Sequence, residues 1–290
     1  MGMNIVFKKK RSKSSLFFVF IINTIMKKWK LFSWLKKPKT TPALKFGWKR
    51  DLPDHRDFRF KISAPKPVPA FVDLRALCPP VYNQGNIGSC TANALGAAFQ
   101  YEEIKQGRDN FIPSRLFIYY NERAMEGTIN EDAGAMIRTG IKTMVKDGVC
   151  PEINWQYVEN KFKIKPCNCA YKIALDNQVL EYLRISPHTL QSVKECLADG
   201  YPIAFGFMIY ESMMTQEVAR TGYVPVPNAS ERPVGGHAVM AVGYDDSKKA
   251  LLVRNSWGNA WGIGGYFYLP YWYITTLNAS ADYWTIRLVE

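Results

Sequence analysis

The stretch Gln84-Gly85-Asn86-Ile87-Gly88-Ser89-Cys90-Thr91-Ala92-Asn93-Ala94 is a glycine-bearing turn that leads into a predicted buried helix. Ser89 is a favourable N-cap residue. A thiol at a helix N-terminus lies at the positive end of the helix dipole, which favours the nucleophilic thiolate. Gln84 carries an amide that can donate to an oxyanion beside the Cys90 N–H. The stretch therefore predicts a reactive cysteine, although a lone cysteine in an alanine-rich helix is also typical of a protein core.

A histidine and an asparagine far along the chain favour the reactive interpretation. His237 opens an apolar run that predicts a buried strand, and Asn255 follows a second such run at residues 251–253. An imidazole can take the thiol proton, and an asparagine oxygen can hold the ring by accepting its N–H. Trp257 is placed to cover that hydrogen bond. The order Cys, His, Asn and the separation of 147 positions between Cys90 and His237 fit such a triad.

Four motifs in this order resemble the papain family (cathepsin-like) of cysteine peptidases. The matching segments are Gln84–Cys90, Gly236-His237-Ala238-Val239, Asn255-Ser256-Trp257-Gly258 and residues 261–266. The resemblance covers residues 71–290 and implies an α+β fold, with a helix-rich first half, an antiparallel β-rich second half and the active-site cleft between them. It also implies the roles of four catalytic residues, with Cys90 as nucleophile, His237 as general base and acid, Asn255 as the orienting group and Gln84 as oxyanion donor.

Some positions depart from the usual family pattern. Thr91 stands where an aromatic residue is usual, Ile87 replaces a common disulfide cysteine, and Gly236 precedes the histidine where Asp or Asn is frequent. These differences indicate a divergent branch, nearer to bacterial and viral members than to lysosomal cathepsins. Gly134, Gly236 and Trp257 are predicted to line the substrate cleft, with a helix-start turn as the alternative for Gly134.

The positive charge of the chain is concentrated at its N-terminus. Residues 1–70 hold 18 Lys and Arg against 3 Asp and Glu, whereas residues 71–290 hold 20 against 22. No recognised nucleic-acid-binding module accompanies the charge, so we expect no nucleic-acid partner. Residues 1–37 alternate basic and apolar runs, which fits a signal anchor, a segment at a membrane interface or a disordered basic tail.

Residues 38–70 are rich in proline and charge and are predicted to form a linker or pro-like segment. Trp48, Leu52 and Phe58 provide apolar anchors that a plain linker would not need. We therefore hypothesise that this segment lies against the catalytic domain and partly covers the cleft before activation. The alternative is a surface strap that packs away from the active site.

The remaining sequence predicts further elements. Helix is predicted over residues 113–147 and over Ser192–Leu197, strands from Tyr182 onwards, and a hairpin turn at Asp245-Asp246. The five cysteines besides Cys90 are compatible with one or two disulfides or with a reduced chain, and Cys167-Asn168-Cys169 is a poor zinc motif. His55 and His188 compete with His237 for the catalytic role, but neither is followed by an asparagine-tryptophan element.

The predicted function is a cysteine endopeptidase that acts through a Cys90 thiolate and a His237 imidazolium, with an acyl-enzyme intermediate. Endopeptidase action is favoured because residues 150–175 contain no histidine to grip a substrate carboxylate. The alternatives are a peptide ligase or acyl transferase with the same site, and a catalytically silent binding protein. We expect polypeptide substrates, no cofactor, no metal and a monomer. Location stays open between a membrane or secretory route through residues 1–37 and, by resemblance, a viral particle or host cell.

Overall fold

The computed structural model describes residues 45–60, 67–185 and 188–290, so the predictions for residues 1–37 lie outside the described residues. Helices dominate the first half of the described chain. The helices are α1 (Cys90–Lys105), α2 (Arg115–Met125), α3 (Ile137–Lys146), α4 (Asn168–Ala174), α5 (Leu190–Ala198), α6 (Gln216–Thr221) and α7 (Trp272–Thr275). Within these ranges, no helix is both long and apolar enough to span a membrane.

The second half is built on an antiparallel sheet. The strands are β1 (Trp48–Lys49), β2 (Phe71–Asp73), β3 (Ala135–Met136), β4 (Val179–Arg184), β5 (Ile203–Tyr210), β6 (Pro233–Asp245), β7 (Ala250–Arg254), β8 (Tyr266–Pro270) and β9 (Ser280–Val289). Seven of them form one sheet in the order β4-β9-β5-β6-β7-β8, with β2 paired to β6. The short strands β1 and β3 pair with each other in parallel. This arrangement confirms the predicted α+β architecture.

Helix α1 lies in the core of the molecule. Its alanines and Gly96 leave little side-chain volume, so α2, α3 and the sheet approach it closely on several sides. Leu95 and Phe99, four residues apart on this helix, are both fully buried. A helix that is buried nearly all round holds its first residue, Cys90, in a fixed position relative to the sheet.

The structure corrects one helix prediction and supports others. Residues 113–147 are not one helix, because the chain leaves α2 at Met125 and returns to helix only at Ile137. Gly127 and Gly134, between them, adopt positive φ angles of 73° and 69°, which a continuing helix does not allow. The predicted short helix at 192–197 is α5, which begins with a capping box between Thr189 and Ser192.

The hairpin turn at Asp245-Asp246 is present between β6 and β7. The Asp245 carboxylate accepts hydrogen bonds from the N–H and hydroxyl of Ser247 and stabilises the turn.

The cysteines divide into two kinds. Cys167 and Cys169 form a disulfide with an S–S distance of 2.02 Å, while Cys78, Cys90, Cys150 and Cys196 are free thiols. Of the alternatives predicted for the cysteines, the structure has one disulfide, which joins the two cysteines that are closest in sequence.

Candidate active site

Cys90 is the first residue of α1 and is fully buried. The turn before it needs Gly85, whose φ of +64° lies in the left-handed region. Ser89 occupies the N-cap position, but its side chain does not cap the helix. The hydroxyl instead accepts a hydrogen bond from Asn93 Nδ2 at 3.1 Å and meets the Tyr157 hydroxyl at 2.6 Å. These tertiary contacts replace the local bond that the sequence favoured.

His237 lies on β6 and Asn255 follows β7, on the sheet side of the cleft. His237 Nε2 and Asn255 Oδ1 are 2.9 Å apart. Because Asn255 Oδ1 also accepts the Ser256 N–H at 2.9 Å, it is an acceptor, and Nε2 therefore carries the ring proton. His237 Nδ1 is buried and has no hydrogen-bond partner among the described residues, so it is the nitrogen available to take a proton.

Trp257 covers the hydrogen bond between His237 and Asn255. Its ring stacks on the imidazole with centroids 4.8 Å apart and an angle of 22° between planes. The indole therefore covers one face of the imidazole. An imidazole held this way keeps one tautomer and one orientation.

The side-chain amide of Gln84 has a fixed orientation. Ser256 Oγ donates to Gln84 Oε1 at 2.7 Å, which directs Nε2 the other way. Nε2 donates to the Ile87 carbonyl at 3.0 Å and to the Lys45 carbonyl at 3.1 Å. The Lys45 oxygen therefore takes a donor that the sequence assigned to an oxyanion.

Residues 45–60, called the strap from here on, begin inside this cleft. The Ala135 N–H donates to the Gly47 carbonyl at 2.8 Å, and Trp48 pairs with Ala135 in the parallel β1–β3 ladder. The Phe46 ring centroid is 6.3 Å from that of His237. A Cβ on Gly47 would lie 1.8 Å from the Gly88 carbonyl oxygen, so only glycine fits at that crossing. Residues 45–48 thus lie in the cleft, and the alternative of a strap packed away from it is wrong for this part of the chain.

Burial determines the protonation of the two central groups. It raises the pKa of Cys90 to about 11, an effect that backbone contacts with Ala238 and Gly47 only partly offset. Burial also lowers the pKa of His237 to about 4, against the opposing effect of the Asn255 hydrogen bond. In the covered state the pair is therefore a neutral thiol and a neutral imidazole. The predicted thiolate and imidazolium do not describe this state, because the helix dipole is outweighed by loss of solvent.

The three residues predicted to line the cleft all lie at it. A Cβ on Gly134 would lie 2.0 Å from the Gly47 carbonyl oxygen, and one on Gly236 would lie 2.8 Å from the Trp48 ring. Trp257 stacks on His237, as described above. The competing histidines lie elsewhere, with His55 exposed on the strap and His188 stacked on Tyr283 at 4.8 Å.

Sequence reasoning missed a set of charged residues that hold the strap. Asp57 of the strap accepts two hydrogen bonds from Arg138, at 2.8 and 2.6 Å, and one from Arg184 at 2.6 Å. Asp51 of the strap accepts the Trp284 Nε1–H at 2.8 Å and donates its own N–H to Asp282 at 2.8 Å. In the sequence, Asp51 and Asp57 are two of several charged residues in a predicted linker. Their partners are distant in sequence and could not be predicted from it.

A further missed residue lies under the nucleophile. Glu122 on α2 is fully buried, accepts the Thr91 hydroxyl at 2.8 Å and leaves Oε1 without a partner among the described residues. Burial raises the pKa of Glu122 well above its ordinary value. Within the described ranges, no group of three or more histidine, cysteine or acidic side chains could hold a metal ion.

Comparison with known proteins identifies the family of the chain. Residues 68–275 match the papain family cysteine protease domain. The chain is 42% identical over 276 residues to an uncharacterized peptidase C1-like protein of Acanthamoeba polyphaga mimivirus, covering 86% of this chain and 89% of that protein. It is 28% identical over 214 residues to bovine pro-cathepsin H, covering 69% of this chain and 59% of the relative.

A solved structure supports the same family. The crystal structure of xylellain, a cysteine protease from Xylella fastidiosa, superposes with a TM-score of 0.78 at 42% identity, covering 84% of this chain and 96% of xylellain. Viral and bacterial relatives are thus more similar in sequence than bovine pro-cathepsin H, which agrees with the divergent branch inferred from Thr91, Ile87 and Gly236. The chain belongs to the papain family of cysteine proteases.

Proposed function

We propose that the chain is a cysteine endopeptidase that stays inactive while the strap lies in its cleft. One observation carries the proposal. The bond between His237 and Asn255 leaves Nδ1 without a partner, the Cys90 thiol contacts the backbone of Ala238, the residue after His237, and the Gln84 amide donates to the Lys45 carbonyl of the strap. This set supplies a nucleophile, a base, an orienting group and an oxyanion donor.

Departure of the strap starts the proposed mechanism. Solvent then reaches the cleft, and the burial that keeps Cys90 and His237 neutral is relieved. The Cys90 proton moves to His237 Nδ1, and the thiolate attacks a peptide carbonyl. The resulting oxyanion takes the place of the Lys45 carbonyl oxygen at Gln84 Nε2 and also accepts the Cys90 N–H.

Two proton transfers complete the cycle. His237 returns its proton to the leaving amine, so that the C–N bond breaks and an acyl-enzyme remains on Cys90. A water molecule then gives a proton to His237 and its oxygen to the acyl carbon, which releases the acid and the thiolate. Asn255 keeps Nε2 protonated throughout, so that the proton always moves through Nδ1.

Endopeptidase action is supported by the course of the strap. Residues 45–48 lie extended in the cleft and the chain continues to Asp51 and beyond, so the cleft accommodates the middle of a polypeptide. Residues 150–175 contain no histidine that could hold a terminal carboxylate. We therefore expect cuts inside substrate chains.

A digestion experiment tests the proposal. The full chain carrying Asp57→Asn, which loosens the strap, is incubated with a mixture of denatured proteins and a reductant, and the products are sequenced by mass spectrometry. We expect thiol-dependent internal cuts that are absent when Cys90→Ala is added. Products joined to an added amine instead of water would show an acyl transferase. Neither cleavage nor labelling of Cys90 by an epoxysuccinyl inhibitor would contradict the proposal and favour the binding protein.

A further inference from the structure

The strongest unassigned feature is the pocket that holds Trp48 beside the catalytic residues. Trp48 follows Gly47, whose backbone lies against Cys90 and whose carbonyl accepts the Ala135 N–H at 2.8 Å. Its indole lies over two glycines of neighbouring strands, Gly206 and Gly236, where an added Cβ would be 1.9 and 2.8 Å from the ring. The indole is 8% exposed. The two missing side chains therefore create a deep pocket that opens into the cleft next to the nucleophile.

A buried carboxylate ends this pocket. Trp48 Nε1 donates to Asp282 Oδ2 at 3.1 Å, and the Asp51 N–H donates to the same oxygen at 2.8 Å. Arg184 takes the other oxygen, Oδ1, at 3.2 Å. Both donors to Oδ2 belong to the strap. When the strap leaves, Oδ2 loses them while Arg184 stays on Oδ1.

The backbone at Asp282 is strained in a way that aims this side chain. The residue is only 2% exposed and has a φ of +58°, a left-handed conformation that is uncommon for a residue with a side chain. The pairing of β9 with β5 shifts at this point, because Ala204 pairs with Trp284 while Gly206 pairs with Ala281. The extra residue on β9 forms a β-bulge, and a bulge changes the direction in which a side chain points. Residues with a strained backbone are concentrated at functional sites.

We propose that Asp282 determines substrate specificity by selecting a large side chain that ends in an N–H donor, namely arginine, lysine or tryptophan. The inference rests on the proposed peptidase function, since it names the substrates of that site. Burying a carboxylate oxygen without a hydrogen-bond donor costs free energy. A substrate side chain that donates a hydrogen bond to Asp282 is therefore bound more tightly than an apolar side chain of equal size. Trp48 is the occupant in the covered state, and a substrate side chain replaces it.

A first experiment uses the full chain and needs no turnover. Cys90 is fully buried, so iodoacetamide reaches it only when the strap lifts, and peptide mapping separates it from the other free thiols. The rate of Cys90 alkylation is compared between two variants of the strap, Trp48→Arg and Trp48→Met. We expect alkylation of Cys90 to be roughly tenfold slower with Trp48→Arg than with Trp48→Met, because hydrogen bonds to charged groups are strong. Equal rates would overturn the proposal.

The same comparison in an Asp282→Gly background shows whether Asp282 is responsible. Glycine accepts the positive φ at position 282 without strain, so this variant removes the carboxylate and keeps the bulge. We expect the difference between Trp48→Arg and Trp48→Met to disappear. Asp176→Gly, at an exposed aspartate in the turn after α4, is the matched control and should leave the difference intact.

A second experiment measures substrates with the Asp57→Asn chain. Peptide pairs differ only in arginine against norleucine, or tryptophan against naphthylalanine, at each of the three positions on either side of the cleaved bond. We expect kcat/KM to favour the donor-bearing member roughly tenfold at one position and the preference to be lost in Asp282→Gly.

The two experiments separate failure of the pocket from failure of the peptidase. If no peptide is cut but Trp48→Arg still protects Cys90 through Asp282, the peptidase proposal fails and the pocket stands. If peptides are cut without preference and Trp48→Arg protects no better than Trp48→Met, the specificity proposal is overturned and the peptidase stands.

Discussion

At the scale of single residues, the proposed function requires the same side chains to change their chemistry when the strap leaves. Burial holds Cys90 as a thiol, with a pKa of about 11, and His237 as a neutral imidazole, with a pKa of about 4. A thiolate is the nucleophile and an imidazolium is the acid, so neither reactive form is populated at neutral pH under the strap. In the proposed function the strap therefore blocks the site sterically and also removes its reactivity.

Gln84 provides the sharpest test among the catalytic residues. Gln84→Ala removes one oxyanion donor, and we expect kcat to fall by roughly 10²–10³ while the protein stays folded. Ser256→Ala keeps the amide but loses the 2.7 Å bond that orients it, so its loss should be smaller. The measurement is steady-state kinetics beside thermal unfolding, both in the Asp57→Asn chain. Undiminished turnover in Gln84→Ala would remove Gln84 from the mechanism.

At the scale of elements, two of the places that hold the strap are far apart along its length. Its first residues lie in the cleft, between the Gln84 amide and the Gly134–Ala135 backbone. Farther along, its aspartates contact Arg138 on α3 and Arg184 on β4. The second place contains none of Cys90, His237, Asn255 and Gln84, although Arg184 also bonds to Asp282.

Asp57 should contribute most of the free energy that keeps the strap bound at that second place. Its carboxylate is 5% exposed and bonds to two arginines, so Asp57→Asn leaves both without their charged partner. We expect Cys90 in the full chain to be alkylated at least about tenfold faster. Asp54→Asn is the matched control, because Asp54 bonds mainly to Arg56 of the strap itself and should have little effect. Similar rates for the two variants would show that the two arginines do not secure the strap.

Asp51 should make the hold of the strap depend on pH. Burial, and then the nearby Asp282, raise the pKa of Asp51 from 3.8 to about 6, although Trp284 and Arg138 oppose the shift. A carboxyl whose pKa is raised by docking binds a proton more tightly when docked. Its contribution therefore favours docking fully below pH 3.8 and is lost as the pH rises through about 6.

The pH effect is measured by Cys90 alkylation in the wild-type chain relative to Asp51→Asn. The asparagine is neutral at every pH, and the ratio of the two rates cancels the titration of the thiol itself. We expect the ratio of wild type to variant to rise between about pH 5 and pH 7.5, because the charged Asp51 loosens the strap. A ratio that stays constant would exclude Asp51 as the titrating group.

At the scale of the whole molecule, the two halves of the fold and the residues of the candidate site could be predicted from the sequence better than the contacts of the strap. Cys90, His237 and Asn255 could be found because each lies in a motif whose glycines and apolar runs indicate a turn or a strand. Asp282 could not be found, since its role depends on a bulge in β9 and on a strap that is distant in sequence. Likewise, the break between α2 and α3 depends on where β3 pairs with the strap.

The most direct test of a latent cysteine endopeptidase is the rate of peptide hydrolysis before and after the strap is cut free. Residues 61–66 are replaced by the recognition sequence of an unrelated protease, and the chain is cleaved there and diluted until the strap has dissociated. We predict little hydrolysis before cleavage, a rise of at least about tenfold after it, and none in the cleaved Cys90→Ala chain. A cleaved, folded chain that has lost its strap and hydrolyses peptides no faster than Cys90→Ala would contradict the proposed function.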